Sequence, residues 1–200
     1  SSKALDQHIW NLLKKKKEKR KNETKNMKII KLLHLFLLQI TITIHFANSK
    51  VITMTPSGSI KTLQAASAQA IPGDVIEIST GIYNTTQYIP FLNGTKSARI
   101  TIRPASGANV VFDGSGVDPL FWLSNLVYVT ISGPMEIRNT YQRKAGGGHG
   151  LCVVSSSHVV IEGLTIHDTF ANGIYSSGND IVIRKNVLHD CVKMNFNGTG

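Results

Sequence analysis

The chain has 200 residues, enough for one domain, and a formal charge of +10 at pH 7. The charge sits in a leader: residues 1–31 hold eleven Lys and Arg against three acids, net +8, whereas from Lys50 onward eleven bases face nine acids, net +2. That distribution argues against nucleic acid as a partner, and two cysteines, Cys152 and Cys191, are too few for a disulfide scaffold.

Residues 1–26, which include Lys14 to Lys17 and Lys19-Arg20-Lys21, read as a basic leader outside the mature protein. Residues 27–49 read as a signal peptide: Met27, Lys28 and Lys31 supply the charged start, and an apolar run from Leu32 to Phe46 follows. Ala47-Asn48-Ser49 offers small residues for cleavage before Lys50. The run is interrupted by His34, Gln39 and His45 and falls short of the roughly 20 residues that span a bilayer. A secreted, extracellular protein with no stable membrane insertion after cleavage is expected. In that compartment Asn84-Thr85-Thr86, Asn93-Gly94-Thr95 and Asn197-Gly198-Thr199 are acceptors for N-glycans at Asn84, Asn93 and Asn197.

From residue 50 onward the sequence reads as strands. A first strand at Val51 ends at Pro56 to Gly58, and residues 59–70 have the spacing of a short amphipathic helix with Ser59 as N-cap. Such a helix suits the cap of an open solenoid, whose first coil otherwise leaves its apolar floor exposed. A strand at Asp74 to Thr80 follows, and Ile78 is then matched with Ile102, Ile131, Ile161 and Ile183 on successive turns.

The matches are closest in the last two turns. Ile161 and Ile183, Ile166 and Leu188, His167 and His189, Asp168 and Asp190 are each separated by 22 residues without a gap. Runs of three to five residues cannot pair within one turn, so they pair with equivalents above and below in parallel sheets about 4.8 Å per step. The fold class is all-β: a right-handed parallel β-helix, a three-sheet solenoid, with a short N-terminal capping helix. Gly133, Gly163 and Asn186 or its neighbour are placed at corners needing a left-handed backbone. The longest insertion, residues 139–150, carries Arg143, Lys144 and His149.

These features resemble the pectate lyase-like superfamily. The likeness runs from Val51 to the end and rests on Pro72-Gly73-Asp74, Gly81-Ile82-Tyr83, and the stretch from Asn93-Gly94-Thr95 through Ile100 to Pro104 and on to Asp113-Gly114. It is nearest in pattern to polysaccharide lyase families 6 and 9. The resemblance implies that residues 50–200 are the N-terminal part of a β-helix domain. It also implies an acidic polysaccharide as partner and β-elimination of uronate polymers as reaction, using a base with a lowered pKa and a Ca²⁺ ion.

His149 and Lys185 are the candidate catalytic bases. Asp168 and Asp190, level on adjacent coils, are the candidate metal ligands, because two carboxylates so close repel unless a cation lies between them. Set against this is ordinary turn chemistry, with Asp capping a corner and His solvated. A monomer is expected. The alternative function is a non-catalytic carbohydrate-binding or surface β-helix. Glycoside hydrolysis is a third reading, though no pair of acids selects it.

Overall fold

The computed structural model describes residues 2–46, 49–115, 117, 119–141 and 147–192, with side chains inside the long helix described at positions 10 and 14–35. The chain divides into two compact units, Ser1–Asn48 and Ser49–Gly200. The first is a single helix, α1 (Ser2–Phe46), which carries the basic leader and the apolar run on one continuous element. Among the described residues no helix is long and apolar enough to cross a membrane. Ala47 and Asn48 of the expected cleavage site, together with Arg143, Lys144 and Asn197, lie outside the described residues.

The second unit opens with β1 (Val51–Met54) and the helix α2 (Leu63–Ser67), followed by β2 (Val75–Ile78), β3 (Gly81–Tyr83), β4 (Gln87–Ile89) and β5 (Leu92–Asn93). The next coil holds β6 (Ile100–Pro104), β7 (Val110–Asp113), β8 (Phe121–Ser124) and β9 (Leu126–Val127). Then come β10 (Val129–Thr140), β11 (Leu151–Ser157), β12 (Val160–Thr169), β13 (Ile174–Asn179), β14 (Val182–Arg184) and β15 (Val187–His189). The strand ladders are parallel throughout, as expected of a right-handed parallel β-helix.

Three runs recur on each coil. The first sheet is β4, β8, β11 and β13, with β9 and β5 continuing it from the far end of β11; the second is β1, β2, β6, the first half of β10, the first half of β12, and β14. The third is β3, β7, the second halves of β10 and β12, and β15. Because β10 and β12 continue around the bend, the second and third runs join into one curled sheet of nine strands.

The core is a set of like-on-like ladders. Ile52, Ile76, Ile102, Ile131, Ile161 and Ile183 stand in one register through the second sheet. Tyr83, Phe112, Ile137, Ile166 and Leu188 do the same through the third. Burying each such side chain contributes roughly 1.5 to 3 kcal/mol, which is why single coils do not persist without neighbours. The expected pairs Ile161 with Ile183 and Ile166 with Leu188 are present. Ile78 does not pair with Ile102: the partner is Ile76, and Ile78 stands level with Pro104. Both isoleucines face inward at period two, so alternation alone cannot choose between two registers that differ by two residues.

Two further details differ from expectation. The N-cap of α2 is Thr62, whose hydroxyl accepts from the Ala65 N–H at 3.2 Å, rather than Ser59. The orphan N–H of Leu63 is taken by the buried Gln87 carboxamide at 2.9 Å, which ties the cap to the first sheet. At the bend between second and third sheets, Gly163 and Lys185 take positive φ, 71° and 55°. Gly133 does not, but a Cβ there would run into the Gly163 carbonyl oxygen. Asn186 serves the corner with its side chain, accepting from Leu164 N–H at 3.0 Å and donating to the Ile161 carbonyl at 3.0 Å.

Candidate functional site

A strand alternates its side chains, so each inward ladder has an outward one beside it. In the first sheet, Ile89, Leu123 and Val153 point inward, which turns Tyr88, Trp122 and Cys152 outward. Register sets Tyr88 beside Trp122, Trp122 level with Cys152, and Cys152 beside Tyr175. At about 4.8 Å per coil these four positions cover about 14 Å of the helix axis.

Tyr88, Trp122 and Tyr175 are 37%, 38% and 42% exposed, while Cys152 between them is 1% exposed. That burial pushes the Cys152 thiol up to about 11, so it stays protonated and inert at neutral pH. The adjacent outward positions are Pro90, Ser124 and Val154. Among the described residues, therefore, this face presents aromatic rings and uncharged groups.

His149 stands just before β11, where the chain returns to the first sheet, and its ring stacks on Tyr175 at 4.9 Å and 20°. Tyr141 and Phe170 meet edge to face at 6.3 Å on the same return between third and first sheets. The expectation for His149 thus puts it at the border of the aromatic column. Lys185 is exposed at a different corner, between β14 and β15. The two candidate bases do not share a face.

The outward side of the third sheet is built from charge. Asp113, Arg138, His167 and His189 occupy one register on four successive coils. Arg138 donates to Asp113 at 2.9 Å and to Glu136 at 2.8 Å, and the same Glu136 oxygen lies 3.2 Å from His167 Nε2. Burial acts to raise the Asp113 carboxyl, but hydrogen bonds from Ser115, Arg138 and Asn139 outweigh it and carry the group down to about 2. Arg138 is raised by its bonds to Asp113 and then Glu136.

The repeated His-Asp pair completes this ladder. The His167 and His189 rings stack at 4.7 Å and 6°. Asp168 and Asp190 take left-handed φ of 52° and 48°, and so does Asn139 at 53° on the preceding coil, residue types that tolerate this corner. Each carboxylate turns to its own imidazole: Asp168 to His167 Nδ1 at 2.6 Å and Asp190 to His189 Nδ1 at 2.8 Å. A Ca²⁺ ion takes six to eight oxygen ligands. A pair of carboxylates aimed at imidazole nitrogens does not fit that need, and among the described residues no group of three or more His, Cys, Asp or Glu converges on one point. The carboxylates bond within their own coils, and the contacts between coils are made by the histidines, through the His167 to Glu136 bond and the His167–His189 stack.

The aromatic column was not legible as a site in the sequence. Tyr88, Trp122, Cys152 and Tyr175 are separated by 34, 30 and 23 residues, so no fixed period links them. The signal is partial and local: Trp122 lies between inward Phe121 and Leu123, whereas Tyr88 follows Gln87 and Tyr175 precedes Ser176.

Residues 92–200 match the family described as the right handed beta helix region. Among solved structures, an alginate lyase from Paenibacillus sp. str. FPU-7 is 27% identical with a TM-score of 0.52, covering 68% of this chain and 44% of that one. The pectate lyase Pel9A is 19% identical with a TM-score of 0.46, covering 68% and 38%. A pectin methylesterase mutant in complex with a hexasaccharide is 18% identical with a TM-score of 0.42, covering 68% and 48%. The chain thus spans less than half the length of these structures. No curated protein matches it.

Proposed function

From the premise that this chain belongs to the right-handed β-helix family, with the lyase-like fold of its solved neighbours, we propose that it is a secreted protein that acts on acidic polysaccharide. It holds the polymer on the outward side of the first sheet and cleaves it by β-elimination. The observation that carries this reading is the half-exposed column Tyr88, Trp122 and Tyr175, with a histidine at its border, on a fold shared with an alginate lyase. Aromatic rings of this kind offer a large apolar face with a polar tip, the surface that a sugar ring with axial C–H groups and equatorial hydroxyls fits.

In the reaction, the proton on the carbon α to the uronate carboxylate passes to a base. The bond from the neighbouring carbon to the glycosidic oxygen breaks, a carbon–carbon double bond forms, and the departing oxygen takes up a proton. His149 is the group we assign to receive the first proton, because it stands beside the column while Lys185 does not. Secretion follows from the leader, and Asn84 and Asn93, both exposed, then carry glycans.

The full chain incubated with alginate and with polygalacturonate, with and without Ca²⁺, yields unsaturated product seen by its ultraviolet absorbance. No product on any uronate polymer rejects the lyase reading. The second reading, a non-catalytic carbohydrate-binding β-helix, is favoured by one feature: the described outward groups of the first sheet are sufficient for binding and carry no formal charge.

A further inference from the structure

Recognition of an acidic polymer ordinarily rests on cations, and such binding weakens as salt rises. Among the described residues the first-sheet face is made differently. Its outward column over four coils is Tyr88, Trp122, Cys152 and Tyr175, and the neighbouring outward positions are Pro90, Ser124 and Val154. Charged outward residues stand on the second and third sheets and are engaged with one another: Glu77 with Arg103 and Glu162 with Arg184 on the second, Arg138 with Asp113 and Glu136 on the third.

We infer that the Tyr88–Trp122–Tyr175 column binds the C–H faces of pyranose rings by stacking, and that it therefore takes neutral polysaccharide as a ligand class alongside acidic polysaccharide. The inference rests on the polysaccharide reading above but not on the lyase reaction. Three rings, half exposed on three of four successive coils, keep apolar surface available to a ligand. Cys152 occupies the third rung and is 1% exposed, so the exposed rings form two groups, Tyr88 with Trp122 and, beyond Cys152, Tyr175 with one face stacked on His149.

Stacking energy depends on contact area and not on net charge, so the ligand's carboxylates are dispensable on this face. The test compares alginate oligosaccharides with the same oligosaccharides after reduction of their carboxyl groups to neutral alcohols, titrated calorimetrically into the full chain at low and high salt. The reduced sugars are expected to bind within about threefold of the acidic ones, at both salt levels. Trp122→Ala is expected to weaken both by about tenfold, and Trp122→Phe, which keeps a ring, to restore most of the loss. Thermal melting of each variant confirms that it is folded.

Failure of the neutral sugars to bind, loss of all binding in high salt, or unchanged affinity in a folded Trp122→Ala protein overturns the inference. The two readings separate cleanly. Neutral binding with the Trp122 effect but no unsaturated product leaves stacking standing and rejects the lyase. Unsaturated product with unchanged KM in Trp122→Ala does the reverse.

Discussion

The outward faces of the first and third sheets sit on the same kind of inward ladder and differ in almost everything else. On the third, each rung bonds to the next: Arg138 to Asp113, His167 to Glu136, His167 stacked on His189. On the first, three of the four rungs are half-exposed rings, Tyr88, Trp122 and Tyr175, the last stacked on His149, and the other is the buried Cys152. A face whose polar groups satisfy one another is a clasp between coils. A face with half-exposed aromatic groups and, among the described residues, no charges to satisfy is a surface for something else. In this solenoid the histidines of the repeated His-Asp motif take part in the clasp, through the bond to Glu136 and the ring stack.

The largest effect falls on what both faces share. Ile161 is 0% exposed in the middle of the six-rung ladder, and Ile161→Ala is expected to lose about 4 kcal/mol in urea denaturation. A loss below about 1 kcal/mol would mean that coils are held by their outward clasps instead. Next comes the clasp itself. The Asp113 carboxyl lies at about 2 in the fold against an ordinary 3.8, so its folded pKa is depressed. Its contribution is present above the ordinary value and is lost as pH falls from about 4 toward 2. The difference amounts to about 2 kcal/mol, and Asp113→Asn removes that part of the acid dependence of the melting temperature.

Trp122→Ala tests the other face. Because Trp122 is already 38% exposed, the change should cost about 1 kcal/mol of stability or less, against about 1.4 kcal/mol for a tenfold loss of sugar binding. A stability loss as large as that of Ile161→Ala would make Trp122 a core residue and erase the contrast between faces. The smallest effect belongs to Arg184 and Glu162, paired at 2.8 Å with Arg184 56% exposed. Glu162→Gln is expected to shift stability by about 0.5 kcal/mol or less, measured by the same denaturation.

Much of the fold was legible in the chain because the last two coils keep equal length. With 22 residues from Ile161 to Ile183 and no insertion, the register of inward and outward positions follows directly. Earlier coils carry unequal loops, and there the match slipped by two residues at Ile78. Of the site, His149 was legible as a loop histidine beside a return to the first sheet, and its stack on Tyr175 was not. Asp168 and Asp190 were legible as neighbours, but the direction of their carboxylates was not. Direction depends on the left-handed corner at each Asp and on the imidazole next to it, a local conformation that spacing does not encode.

By itself the sequence determined that strands of β-branched residues stack in parallel coils, because short apolar runs at repeated spacing can be buried only against their own copies. It also determined that the positive charge lies outside that stack. Only the tertiary structure decided which outward residues become neighbours. Tyr88, Trp122, Cys152 and Tyr175 are brought level by three intervals of different length, and that alignment is set by the parallel hydrogen-bond register of four strands and not by any distance along the chain.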